Sequence, residues 1–417
     1  MPHSPAPADL IDSRYALWRL IISLLVMLMG SSCMFAVAVV LPQVQADFGV
    51  SRSEASLPYT LMMVGFGVGG LFMGRVVDRY GVSVALLIGS GGILLGFLWS
   101  SVSEGIVGFT LAHGLFLGLL GTSATFAPLV ADTSLWWNKR RGIAVAVCAS
   151  GNYLAGAVWP NIANWGIDSV GWRETYFWMG IVCSASMALL SLLLRRRPPL
   201  SVSTPSASTG VVASSRPFGL STGHAQTLLI IAGLSCCVAM AMPQVHIVAY
   251  CVDLGFGPAR GAEMLSLMLG FGVVSRLLSG VICDRIGGIR TLLLGSLLQG
   301  IALLMFLPFD GLVSLYVISA VFGLFQGGIV PSYAIIIREH FLPAETGRRV
   351  GAVIMATMLG MALGGWLSGY IFDLTGSYDF ALLNGVAWNA VNLSIVLWLL
   401  WRLKTRASPL MSAVSTG

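Results

Sequence analysis

The chain has 417 residues, of which 56% are hydrophobic and only 10% charged, with a mean hydropathy of +0.86 and a formal net charge of +6. So little polar surface cannot cover a soluble globule of this length, which excludes a water-soluble fold and places the chain in a bilayer. The positive excess follows from membrane topology and contact with anionic lipid, and implies no nucleic-acid partner.

A helical span takes about 20 apolar residues. Such runs cover 18–41, 55–77, 83–103, 106–131, 142–164, 174–194, 225–252, 259–282, 289–308, 312–337, 350–372 and 380–401. The first run is too long for a signal-peptide core and no cleavage site follows it, so it is read as a retained span. Basic residues fix the orientation. With the N-terminus inside, most of them gather on the cytoplasmic side, from Arg14 and Arg19 to Arg402, Lys404 and Arg406, and only Arg52, Arg173 and Arg260 fall outside. The expectation is an all-α, multi-pass protein of the cytoplasmic (inner) membrane, with both termini in the cytoplasm, working as a monomer. The seven cysteines sit in or at the ends of spans without metal-ligand spacing, so they read as apolar fillers, and no metal or cofactor is expected. Residues 195–224 open on three arginines and two prolines and continue in Ser, Thr, Pro, Ala and Gly. They read as a flexible cytoplasmic tether between a first unit, 1–194, and a second, 225–417.

The two units repeat one another. Gly74-Arg75-Val76-Val77-Asp78-Arg79-Tyr80-Gly81 returns as Gly280-Val281-Ile282-Cys283-Asp284-Arg285-Ile286-Gly287, with Gly, Asp, Arg and Gly each offset by 206 positions. Each cassette lies where a span meets a short cytoplasmic loop. Its glycines permit a tight turn, and its carboxylate can meet the N-terminal end of a neighbouring helix. Lys139-Arg140-Arg141-Gly142 and Arg348-Arg349-Val350-Gly351 open the fifth and eleventh spans and are the expected partners. These contacts read either as latches that set which side is open or as devices that fix loop geometry only. Small-residue pairs at Gly70/Gly74, Gly360/Gly364 and Gly365/Gly369 allow close helix packing.

Arg276 is the one basic residue deep in the interior of a predicted span. It lies eight residues before Asp284 and thirteen after Glu263, which at 1.5 Å per residue is roughly 12 Å and 20 Å from the two ends of its helix. A charge at that depth costs at least about 2.5–3.5 kcal/mol on insertion, so it marks a functional site by default. Gly272 and Gly280 flank it on one stripe, so the arginine is expected to point inward. No Asp or Glu lies in the interior of any predicted span, and the nearest acids, Asp47, Asp132, Asp253, Glu263, Asp284 and Asp373, stand at helix ends. The guanidinium therefore reads as a receptor for a visiting carboxylate. The alternative is that it satisfies carbonyls of a broken helix or reaches an end carboxylate. Further candidate substrate-binding residues are His246 and Tyr250 after Pro243, His113, Asn152, Gln326 and Tyr333, each of which also reads as interhelical glue.

Twelve spans, the central basic loop and the duplicated cassette resemble the major facilitator superfamily. That resemblance implies two six-helix bundles, a site between them and alternating access. The stretches Pro243–Gly255 and Ser275–Arg285, with Trp136–Ala144 and Gly171-Trp172-Arg173, are similar to bacterial members of the monocarboxylate transporter branch, close to the oxalate/formate antiporters. Two departures stand out. Animal members of the branch carry a lysine on the first span and an acid one turn before the arginine, where this chain has no lysine and Gly272. Oxalate exchangers carry a second cation on the eleventh span, and none lies between Gly351 and Phe372. One membrane cation implies a monoanion rather than a dianion. The resemblance thus implies a carrier of a small organic monocarboxylate, with protons as the coupling ion if His246 or His113 titrates. Anion exchange, uniport, extrusion of drugs or other solutes, and a receptor that binds without transport remain as alternatives. Nothing in the sequence pairs a nucleophile with a base, so no enzyme is expected.

Overall fold

The computed structural model describes residues 10–197, 217–342 and 345–414, the last nine by backbone alone. The described residues are helical throughout, and twelve helices are long and apolar enough to cross a membrane. They are α1 (Arg14–Phe48), α2 (Arg52–Tyr80), α3 (Val82–Ser101), α4 (Ile106–Leu135), α5 (Arg141–Val170), α6 (Trp172–Leu193), α7 (Thr222–Asp253), α8 (Pro258–Ile286), α9 (Gly288–Met305), α10 (Leu312–His340), α11 (Thr346–Thr375) and α12 (Asp379–Thr405). Each apolar run read from the sequence falls on one of them, although the runs 83–103, 174–194 and 289–308 reach past the ends of α3 at Ser101, α6 at Leu193 and α9 at Met305. At the start of α2, Ser51 accepts from the Glu54 amide, and the Glu54 carboxylate accepts from the Ser51 amide, so two orphan donors are satisfied reciprocally. Ser13 and Ser221 cap α1 and α7 by the same side-chain chemistry.

Three helices depart from regular winding, and the first, α1, is interrupted at Ser31, between Gly30 and Ser32. In α4 the stretch Ala112–Gly121 is π-helical and runs into a 3-10 turn at Thr122–Ala124. In α10 the winding breaks at Gly327 and Gly328, between Gln326 and Ile329.

Apolar residues fill the interior and also cover the outside, as lipid requires. The helices α3, α6, α9 and α12 turn large apolar residues outward, among them Leu95, Phe177, Trp178, Leu297, Trp398 and Trp401. The first six helices pack among themselves, as do the last six, and the two groups meet where α2 lies on α11, α5 on α8 and α1 on α7. The face that carries both cassettes, the start of α1 and the end of α12 is called the cassette face below, and the other the far face.

Part of the expected tether lies among the described residues. Residues 198–216 lie outside the described residues. Pro217–Gly219, however, form one 3-10 turn in which Phe218 is buried, stacks on His340 and offers its carbonyl to Arg402 Nε at 3.1 Å, and α7 already begins at Thr222.

Arg19, read as a topology signal, is in fact buried. Its Nη2 donates to Asp132 at 2.7 Å, its Nη1 to the Arg196 carbonyl at 3.2 Å, and its guanidinium lies 4.3 Å from the Trp136 ring centre. Removing one partner strands the other, so Asp132→Asn is expected to cost about 3–5 kcal/mol, read as a lower unfolding midpoint in detergent. Arg19→Met with Asp132→Leu should recover most of that loss.

Candidate functional site: a membrane arginine between two bundles

Arg276 points inward from α8 and is 8% exposed. Its Nη1 donates to the Ala149 carbonyl of α5 at 2.7 Å, and its Nε to the Gly327 carbonyl, in the break of α10, at 3.3 Å. The face of the guanidinium lies 4.2 Å from the centre of the Tyr153 ring, also on α5. None of the ion pairs among the described residues includes Arg276. Two carbonyls and a ring orient the cation without balancing its charge. Nη2 has no hydrogen-bond partner among the described residues and is not fully buried.

Glycines make this approach possible. A Cβ on Gly327 would lie 2.8 Å from Ser275 Cβ and 3.0 Å from the Arg276 amide, so only glycine lets the α10 break settle on α8. A Cβ on Gly272 would lie 2.5 and 2.7 Å from two carbons of the Tyr153 ring, so the space beside the arginine belongs to that ring.

The other sequence-predicted residues divide into three groups. Asn152 is half-buried next to Tyr153, its amide 3.9 Å from Met34 sulfur, and Gln326 adjoins Gly327 and accepts from Gln244 at 2.8 Å. These two stand with Arg276. His246 and Tyr250 stand nearer the far face. His113 and Tyr333 stand inside the separate bundles: His113 Nδ1 meets the Phe109 carbonyl at 2.8 Å with its ring against Phe109, and the Tyr333 hydroxyl donates to Asn392 at 3.0 Å.

At the far face the two groups of helices are joined by a lock. Arg52 at the start of α2 donates through Nη2 to Asp253 of α7 at 3.0 Å and through Nη1 to the Tyr378 hydroxyl at 3.1 Å, and its guanidinium lies 4.6 Å from the Phe372 ring centre. The Asp373 carboxylate of α11 accepts from the backbone amides of Arg52 and Ser53, each at 2.8 Å. Carboxylate against helix N-terminus is the chemistry expected of the cassettes, here crossing between bundles at the opposite face. Hydrogen-bond logic then fixes the tautomer of His246. Its Nε2 is 2.8 Å from the Gly365 carbonyl, which can only accept, so Nε2 carries the proton. Nδ1, 3.0 Å from the Tyr378 hydroxyl, is left to accept from it. Tyr250 packs edge-on against Tyr378.

A family model described as the Major Facilitator Superfamily matches residues 20–314 and 264–412. The chain belongs to that superfamily. It is similar to Monocarboxylate transporter 13 of Rattus norvegicus, 29% identical over 69% of this chain and 67% of the relative, and to Monocarboxylate transporter 13 of Bos taurus, 27% identical over 78% and 74%. It is also similar to the MFS-type transporter pynF of Aspergillus niger, 25% identical over 68% of this chain and 63% of that protein. The chain thus spans about two thirds to three quarters of the length of these relatives. Superfamily membership and the relatives' names indicate a transporter.

In this major facilitator chain the cassette contacts are not engaged. Asp78, Arg79, Asp284 and Arg285 are exposed, and the ion pairs of the described residues include none of them, nor Arg140, Arg141 or Arg348. Arg141 donates to Ser134 at 3.2 Å, and Arg349 turns back to Glu345, the residue just before its own helix, at 2.5 Å. Gly81 and Gly287 do end α2 and α8, at φ of 91° and 82°, where an L side chain is strained. Gly70, Gly74 and Gly280 have nothing within 4 Å of an added Cβ, so they make no close helix contact here. The spacing on α11 is different. Gly365 and Gly369 would place a Cβ 3.1 Å from the Tyr59 ring and 2.9 Å from the Arg52 carbonyl, directly beneath the lock.

Sequence reasoning missed Tyr153, Gln244, Gly327 and the lock. The lock had a signal, since Arg52 is one of three basic residues on the far side and Asp253 and Asp373 are span-end acids.

Proposed function

We propose that this protein is a secondary transporter that carries a small organic monocarboxylate across the cytoplasmic membrane by alternating access, in symport with a proton. One observation carries the reading. Arg276 is a permanent cation deep in its span, with a charge that no acidic group among the described residues balances and an Nη2 edge open to a visitor. A carboxylate supplies the missing charge and two acceptors for the fork. A single such cation suits a monoanion, and the names of the two mammalian relatives agree with that class. The distribution of basic residues supports the cassette face, with both termini, as the cytoplasmic one. Both bundles belong to one chain, so a monomer forms a complete transport unit, and no catalysis is proposed.

His246 is the proposed proton carrier. The charged and titratable groups about it are Arg52 on α2, Asp253 and Tyr250 on α7, Asp373 on α11 and Tyr378 in the following link. Protonation converts Nδ1 from acceptor to donor, removes the acceptor of the Tyr378 hydroxyl and sets a second cation near Arg52. Acid on the far face therefore weakens the lock and favours opening toward that side. The test is uptake of labelled lactate or pyruvate into proteoliposomes at several external pH values. Uptake should rise as external pH falls, and His246→Gln, which keeps both hydrogen bonds but cannot titrate, should flatten that dependence. Uptake of neither acid at any pH would overturn the substrate class, and an unchanged pH profile in His246→Gln would overturn the proton assignment.

A further inference from the structure

Arg276 needs something to hold its fork still while it has no cargo, and its two carbonyl partners fix only one hydrogen on each of two nitrogens. The remaining constraint is the Tyr153 ring, centred 4.2 Å from the guanidinium carbon and approaching from the opposite bundle. Tyr153 is 7% exposed, so this contact is largely desolvated, the setting in which cation–π attraction is strongest. The ring is seated by an absence. At Gly272, one turn before Arg276, any Cβ would overlap two of its carbons. A resident carboxylate on that turn would neutralise the cation, whereas a ring face stabilises it and leaves its charge available.

We propose that Tyr153 is a positioning residue of the anion site: its ring, seated in the gap left by Gly272, fixes the plane of the Arg276 guanidinium so that Nη2 is presented to the cargo carboxylate. This rests on the reading of Arg276 as the carboxylate receptor. The ring acts on the ground-state grip, so its loss weakens binding and leaves the turnover of a saturated carrier nearly intact.

The experiment compares Tyr153→Phe, Tyr153→Leu, Gly272→Ala and Arg276→Ala in proteoliposomes, measuring KM and maximal rate for labelled lactate and pyruvate and the unfolding midpoint of each protein. Tyr153→Phe keeps the ring and is expected to stay within about twofold of the parent. Tyr153→Leu removes the ring, and Gly272→Ala displaces it with its chemistry intact. Both should raise KM about 5- to 30-fold, the range a desolvated cation–π contact supplies, at a maximal rate within about twofold. Gly272→Ala carries the test if Tyr153→Leu fails to fold. Parental KM in Tyr153→Leu or in Gly272→Ala, or a loss in Tyr153→Phe equal to that in Tyr153→Leu, would overturn the role given to the ring. If Arg276→Ala itself transports with parental KM, the receptor reading fails instead, and the two failures are told apart.

Discussion

Replacing Arg276 with alanine is expected to lower the maximal rate divided by KM at least about a hundredfold, with little loss of stability. The grip at stake is a forked, charge-assisted pair, in which each hydrogen bond contributes about 1.5–3 kcal/mol. Two such bonds put the loss between roughly a hundred and ten thousandfold. Stability moves far less because the terms oppose. The substitution leaves the Gly327 and Ala149 carbonyls without their guanidinium donor, but it also relieves a burial cost of at least about 2.5 kcal/mol for a charge inside the bilayer. Arg276→Lys should fall between parent and alanine, since an ammonium keeps the charge but cannot present two parallel donors. Uptake kinetics with a thermal unfolding series checks all three. A dead variant with a collapsed midpoint would point to a structural arginine instead.

Removing Arg52 should have the second largest effect, on conformation rather than on binding. Its guanidinium joins α2 to Asp253 on α7, to the Tyr378 hydroxyl and to the Phe372 ring. Asp253 is 31% exposed at its side chain, which moderates that pair, while Arg52 itself is 8% exposed. Allowing about 2–3 kcal/mol for the set, Arg52→Ala should shift the balance between far-closed and far-open forms roughly 30- to 150-fold toward opening. A cysteine placed at Thr60, whose hydroxyl donates across the bundle interface to the Ala362 carbonyl at 3.2 Å, reports the change. In the Arg52→Ala background an impermeant maleimide should label it from the far face, and in the parent it should be protected. Equal labelling in both would show that the lock does not hold that face shut.

The framework was legible because a bilayer leaves the chain few choices. Every stretch of about twenty apolar residues must satisfy its backbone internally, and helices do so. Asp78 and Asp284 were legible as a repeated motif, yet both are exposed here and neither joins an ion pair among the described residues, so the contacts expected of them are not formed in this structure. Arg276 was legible by depth alone. Its surroundings were not, for a physical reason. Tyr153 lies on a span packed against α8 across the bundle interface, and the Gly327 carbonyl becomes an acceptor only because α10 breaks there. Neither fact has a periodicity to read. His113 and His246 look alike in sequence as lone imidazoles in apolar spans. Only packing separates the one held inside a bundle from the one linked through Tyr378 to Arg52. Arg19 was legible only as a topology signal, because its partner, Asp132, is more than a hundred residues away and buried with it.

The claim that a visiting anion completes the pairing of Arg276 is tested most directly by equilibrium binding to the purified protein. A labelled monocarboxylate should be compared with its uncharged amide, of nearly the same shape, in the parent and in Arg276→Ala. The account predicts saturable binding of the acid to the parent alone, with the amide and the variant each at least about a hundredfold weaker. Amide bound as tightly as acid, or acid bound as tightly by Arg276→Ala, would contradict it.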